Sequence, residues 1–428
     1  MVMAACAGLP GCSERAETAG NANALAGNAE HDKADTLVVE DSVVLRADAP
    51  SVPPAVNEAR RSRADDVTGA ATPGAPASLE WDDGGQWRVT TDWRIGKVDG
   101  DVNQAFGMLT NVTLGPQGEV LLLDFQDQSI SVFTGNGTFR RRIGRSGQGP
   151  GEFDGPLSMA WDWLNRLWVA DGWNFRYSVF DSEGRPIKEI PRPFRSATGW
   201  RQSMILRRDG TMVDEFALTR NGKSFVAFAV LDTTGAVRDT LHVLPRASSV
   251  DITVSPEWLL RAGQALKSLR RFQPRMIYTL MPDGSVWFAR TDEYRLHHRA
   301  ANGDTLLLID ASHRNLALTR AEQNMIEAEM AKTGLEPSTF QLGRQILQAI
   351  RLLHDGHVLV QIEEEPGQPG RLFDVFDPTG RLRGSIRLNH DLDPSVRWAD
   401  RGDTIIAVTF GELAVQYVVR LTIHRNKR

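Results

Sequence analysis

A turn residue followed by a short apolar run recurs six times: Gly118 before EVLLLD, Asn165 before RLWVAD, Gly210 before TMVDEF, Gly284 before SVWFAR, Gly356 before HVLVQI and Gly402 before DTIIAV. Successive anchors lie 47, 45, 74, 72 and 46 residues apart. Three intervals match a repeat of ~40 to 50 residues, and the two longer ones carry insertions of about 25 to 30 residues. A second turn follows within the units, in FTGNGTF, FDSEGRP, LDTTGAV, AANGDTL and FDPTGRL, with β-rich runs such as SISVF, RYSVF and LFDVF before it. Each unit therefore reads as four strands, A to D, with tight hairpins at A–B and C–D and a loop at B–C. Asn165 stands where the other units have glycine because asparagine also tolerates positive φ. The last unit ends at QYVVRLTIHR without a fourth strand, while residues 86–98, QWRVTTDWRIGKV, precede the first unit as a spare one. Pairing the two would close a ring and leave no free sheet edge at the join.

The stretch 144–153, GRSGQGPGEF, is followed by an aspartate, then by Asn174, Arg176 and the pair Val179 and Phe180 before a Asp-Ser-Glu-Gly turn. That unit resembles a repeat of the NHL type, and the chain from 86 to 424 resembles bacterial envelope lipoproteins built as propellers of this type. The match is best in the first two units; the fourth lacks the Asn-x-Arg core. The resemblance implies an all-β β-propeller, and the six units make it six-bladed, with the N-terminal strand closing the last blade and helical insertions in the two long intervals, at about 245–274 and 310–348.

After residue 80 about 350 residues remain, enough for one large repeat domain. The chain carries a net charge of −5, but residues 1–80 hold 6 basic and 12 acidic groups, leaving 43 against 42 for the rest. A domain so near neutrality offers no electrostatic case for nucleic acid, so the RNA binding of some NHL propellers is not expected here. A protein or glycan partner is expected instead, and a monomeric propeller.

Residues 1–12 read as the remnant of a signal peptide. Leu9-Pro10-Gly11-Cys12 resembles a bacterial lipobox, which implies lipidation of Cys12, with Cys6 after Ala4-Ala5 as the alternative. Residues 13–80, rich in Ala, Gly, Asp, Asn and Pro, bury too little apolar area to order themselves and read as a disordered tether. The expected location is the cell envelope, lipid-anchored in periplasm or outer membrane, or secreted, with membrane contact only through the lipid. Both cysteines fall in this leader, so the domain 81–428 holds no disulfide, thiolate metal site or cysteine nucleophile.

With A–B and C–D turns on one side of the disc, the B–C loops and D–A connections share the other. The GRSGQGPGEF connector and both insertions are D–A connections, so one face is plain and the other elaborated, and binding is expected on the elaborated one. In SPEWLLRAGQALKSLRRF, Ser255 and Pro256 start a helix whose stripe is Trp258, Leu259, Ala262, Leu266 and Leu269. In LTRAEQNMIEAEMAKTG, Thr319 and Glu322 form a capping box, Gly334 a stop, and Met325, Ile326 and Met330 the apolar side.

Candidate ligand contacts on that face are Arg145, Gln148 and Glu152 in the connector, Trp173 and Phe175 in a B–C loop, and Arg290 and Arg295 in the fourth blade. Trp161 and Trp163 are expected on one side of an A strand. Six residues after each anchor stand Asp124, Asp171, Phe216, Arg290, Ile362 and Val408, which is no symmetric carboxylate ring. Gluconolactonase-like propellers use a glutamate, an asparagine and an aspartate on a metal, and the nearest candidates here are Asp124, Asp171, Asn174 and Glu363. No cofactor is expected beyond a divalent cation such as calcium, which would need backbone and water oxygens as well. Asp171 and Asn174 more simply bond loop backbone. His297 and His298 are strand neighbours pointing to opposite faces, so they cannot share a metal. GRSGQG lacks the Lys-Ser/Thr pair and the helix of a phosphate loop, and no nucleophile elbow is present. The function expected is non-catalytic binding or scaffolding in the envelope; the alternative is a metal-dependent, lactonase-like hydrolase or lyase at the channel mouth.

Overall fold

A computed structural model describes residues 87–97, 102–194, 204–221, 223–246, 256–334, 342–363, 371–411 and 414–425, side chains of 256–261 and 313 excepted. The leader, with Cys6 and Cys12, lies outside the described residues, as does Ser255.

The chain is a six-bladed β-propeller. The first two blades run Leu109–Leu114, Val120–Asp124, Ser129–Phe133, Phe139–Ile143 and then Pro156–Trp161, Leu167–Asp171, Arg176–Phe180, Pro186–Pro191. The third is Met204–Leu206, Met212–Arg220, Lys223–Leu231, Val237–Pro245, and the fourth Met276–Leu280, Val286–Arg290, Arg295–Arg299, Thr305–Asp310. The fifth is Leu347–Leu352, Val358–Ile362, Arg371–Phe376, Leu382–Leu388. In the sixth, the inner strand is split into Asp391–Leu392 and Ala399–Arg401, both paired with Thr404–Phe410, which pairs with Gln416–His424. Arg88–Ile95 completes that sheet antiparallel to Gln416–His424, with Arg88 opposite His424 and Ile95 opposite Val418. The first strand thus satisfies the edge of the last, and the ring is sealed by hydrogen bonds between them.

The anchor turns take the left-handed conformation expected of them: φ is +87° at Gly118 and +56° at Asn165. Aspartates reinforce the hairpins, as where Asp162 accepts the backbone N–H of Leu164 and of Arg166, each at 2.9 Å. That geometry is the Asx turn, a side chain standing in for a backbone acceptor.

The central strands read as unbroken apolar runs because each blade is covered on both sides. In Val120–Asp124, Leu121 and Leu123 join the core shared with the second blade, and Val120 and Leu122 the core shared with the sixth. One apolar cluster fills each of the six gaps between neighbouring blades. Outer strands alternate instead, as in Thr305–Asp310, because one side meets water. Trp161 packs into the core between first and second blades, but Trp163 lies past the end of its strand in the hairpin turn and is 43% exposed. The turn begins at Asp162, two residues earlier than an extended strand carrying both rings would allow.

Both insertions are helical and both are D–A connections. Helix α1, Pro256–Leu269, follows the third blade, and helix α2, Arg320–Thr333, follows the fourth. Leu269 and Met330 form a small buried cluster with Leu266, Ile326 and Leu342 against it, so the two helices pack on each other. The Thr319–Glu322 capping box forms in both directions, and Gly334 ends α2 with φ +66°. Among the described residues no helix is long and apolar enough to cross a membrane.

Candidate functional site

The GRSGQGPGEF connector is folded around side chains of the second blade. Arg176 donates to the Gln148 carbonyl and to those of Gly149 and Glu152, all at 2.9 Å, and pairs with Glu189 at 2.8 Å. Asn174 donates to the Gly147 carbonyl at 3.0 Å and to the Asp171 carboxylate at 2.7 Å. Asp171, fully buried, also accepts the Asp154 N–H at 2.9 Å and lies 3.5 Å from Arg176 Nε. Burial raises the Asp171 carboxyl to about 6, against the pull of Asn174, the Asp154 amide and Arg176. Glu152 accepts the Gly149 N–H at 2.8 Å and pairs with Arg145 at 2.8 Å; the amide and then the guanidinium lower its pKa. Gly144, at φ +77°, is obligatory, since a Cβ there would sit 2.2 Å from the Phe153 ring, itself fully buried and edge-on to Phe180. The connector is a built object whose polar groups are largely spent on itself, and the Gln148 side chain and much of Arg145 face solvent at its rim.

Beside it stand the exposed aromatics. Trp173 is 51% exposed and packs edge-on against Phe125, the residue after the first blade's second strand, with ring centroids 5.4 Å apart. Phe175 is 37% exposed at φ +51°. Both belong to a B–C loop, hence to the face that carries the connector and the helices. In the fourth blade, Arg290 makes a two-toothed pair with Asp292, at 2.8 and 3.1 Å, and Arg295 pairs with Asp310 at 2.9 Å. Each guanidinium is therefore already matched by an acid.

Of the four metal candidates, Asp171 and Asn174 are hydrogen-bonded to each other, and each of the four is engaged by protein groups. Asp124 accepts four backbone amides, from Gly107 at 2.7 Å, Met108 and Gln126 at 3.0 Å and Asp127 at 3.1 Å, which commits its lone pairs. Asp171 and Asn174 hold the connector. Glu363, exposed at the end of a fifth-blade strand, accepts from Gln348 at 2.8 Å, and Gln348 accepts from Arg275 at 3.1 Å. Among the described residues no three His, Cys, Asp or Glu side chains gather as a metal would require. His297 and His298 stack on opposite faces of their strand, against Phe288 and Trp287, with centroids 4.8 and 4.4 Å apart.

Sequence reasoning missed the buried polar ties between blades. Tyr177 of the second blade and Arg192 beyond it both donate to buried Asp214 of the third, at 2.6 and 2.8 Å. Tyr294 and Arg314 do the same to Asp374 of the fifth blade. The tyrosine and aspartate are 37 residues apart in one triad and 80 in the other, so no spacing announces them. Arg351 on the fifth blade's inner strand donates to the carbonyls of Pro394 and Val396, and burial, with Arg397 adding to it, lowers it to about 10. Arg397 reaches from the sixth blade to the Leu280 carbonyl of the fourth at 3.3 Å. Tyr278 donates to Glu215 at 2.6 Å. The one signal was an arginine inside the apolar run LQAIRLL.

No protein-family model and no curated protein sequence matches this chain. Solved structures match in shape. A member of the DUF4221 family from Bacteroides vulgatus is 11% identical with a TM-score of 0.44, over 80% of this chain and 99% of that one. Virginiamycin B lyase from Staphylococcus aureus is 10% identical with a TM-score of 0.42, over 79% and 99%. A calcium-binding protein, regucalcin, from Agrobacterium tumefaciens is 11% identical with a TM-score of 0.40, over 77% and 94%. At such identities the likeness concerns the fold.

Proposed function

We propose that this chain is a cell-envelope binding or scaffold protein of the NHL-propeller lipoprotein kind, tethered through Cys12, that engages a protein or glycan on the elaborated face without catalysis. The observation that carries the reading is the one-sidedness of the disc: α1, α2, the connector and the Trp173–Phe125 edge all leave the blades on a single side. Loops on a rigid scaffold are where binding surfaces are built, and a half-exposed indole with the partly exposed Phe175 in the same loop offers an apolar surface for a sugar face or a peptide side chain. The polar groups nearby are held by internal hydrogen bonds, which suits a preformed docking surface better than a reacting centre. Glycan-array and peptide-array binding with wild type and Trp173→Ala tests the proposal. Loss of the wild-type signal in the variant is expected; unchanged binding would remove the aromatic patch from the site. Stoichiometric calcium or zinc in the purified protein would favour the hydrolase or lyase alternative.

A further inference from the structure

At the seam where the ring closes, on the same face but at the sixth blade, lies a cavity of about 410 Å³. Arg94 comes from the closing strand, Tyr417 from the strand it pairs with, Asn389 and His390 from the connection out of the fifth blade, Asp391 from the sixth blade's inner strand, and Phe410 and Gly411 from the end of its second strand. Only the pairing of the first strand with the last brings these residues together.

The guanidinium carbon of Arg94 lies over the Tyr417 ring, 3.6 Å from its centroid. Two glycines make room for the stack. A Cβ at Gly411 would meet the Tyr417 ring at 2.3 Å and Arg94 Nη2 at 2.7 Å, and one at Gly96, φ +124°, would meet the ring at 2.7 Å. The walls are pinned from behind: buried Gln416 accepts the Leu109 N–H at 2.7 Å and donates to Asp393 at 3.2 Å, and Thr409 donates to the Asp391 carbonyl at 3.0 Å. Among the described residues Arg94 makes no ion pair with an acid, and the Asn389 amide and the Tyr417 hydroxyl make no side-chain hydrogen bond. The other charged group is Asp391, whose carboxylate is engaged by Arg371. His390 sits 2.7 Å from Thr91 through its Nε2, and burial, with the nearby Arg94 adding to it, lowers its pKa.

A guanidinium held by stacking keeps its in-plane N–H donors pointing outward in the fork that matches a carboxylate. Around it stand an amide, a phenol and an imidazole suited to hydroxyl groups, in a cavity of small-molecule size. We propose that this seam cleft binds an acidic saccharide, a uronic-acid unit whose carboxylate is taken by Arg94 and whose hydroxyls meet Asn389 and Tyr417.

Calorimetric titration of the full chain with D-glucuronate and D-galacturonate, with D-glucose and acetate as comparators, tests it. Saturable binding of a uronate is expected, weakened at least about tenfold by Arg94→Ala and only partly restored by Arg94→Lys, which keeps the charge but not the fork. Arg94 is exposed, so both variants should stay folded, with melting temperatures shifted by no more than the loss of an exposed cation–π contact allows. The proposal is overturned if neither uronate binds, if glucose or acetate binds as tightly as the uronates, or if Arg94→Ala binds with wild-type affinity.

Discussion

The connector between the first and second blades and the seam between the sixth blade and the N-terminal strand share a face and are both joins, yet they use polar side chains in opposite ways. In the connector, one arginine is consumed by three carbonyls and two acids. At the seam, one arginine is braced by an aromatic ring and faces a cavity. The first arrangement stabilises a loop. The second holds donors ready, and leaving them unspent costs little because they remain in water.

Three experiments sharpen the contrast. Arg176→Ala removes the hub of the connector and leaves buried Asp171 without its cation, so urea denaturation should show a loss of about 3 kcal/mol or more. A loss under about 1 kcal/mol, the usual worth of an exposed pair, would mean the connector is not organised around that side chain.

The second effect is one of pH. Asp171 has its folded pKa raised to about 6 from an ordinary 3.8, so between those values the native state binds more protons than the unfolded one. Stability from this group is therefore full below about pH 4 and falls as pH rises toward 6, by on the order of 1 to 3 kcal/mol. Asp171→Asn removes the titration, so denaturation midpoints at a series of pH values should show the variant gaining on wild type across that window. A constant difference between the two would contradict the buried, reluctant carboxyl.

The smallest change is expected at the seam. Arg94→Ala should shift stability by no more than about 1 kcal/mol, the range of an exposed cation–π contact. A shift as large as that of Arg176→Ala, measured in the same urea series, would make Arg94 a structural brace and erase the distinction.

Most of the architecture was legible because it follows from local rules. Positive-φ anchors at Gly118 or Asn165 fix hairpins, the hairpins fix four-stranded units, and a missing last strand with a spare first one implies closure. The helices were legible for the same reason, since Thr319, Glu322 and Gly334 lie within one sequence window. Trp163 escaped because period two does not say where a strand stops.

The site was less legible. Asp124 and Asp171 are metal candidates by type and place, while the bonds their lone pairs accept depend on which backbone amides fold over them. The Tyr177–Asp214–Arg192 and Tyr294–Asp374–Arg314 triads join separate blades at unrelated spacings. The Arg94–Tyr417 stack joins residues from opposite ends of the chain. The order of turns and apolar runs was thus enough to dictate six sheets, their closure and the crowding of excursions on one side, because each depends on neighbours in sequence. Which polar groups are spent and which are left to meet a ligand was decided only in three dimensions, because hydrogen-bond satisfaction depends on atoms that distant segments bring within about 3 Å.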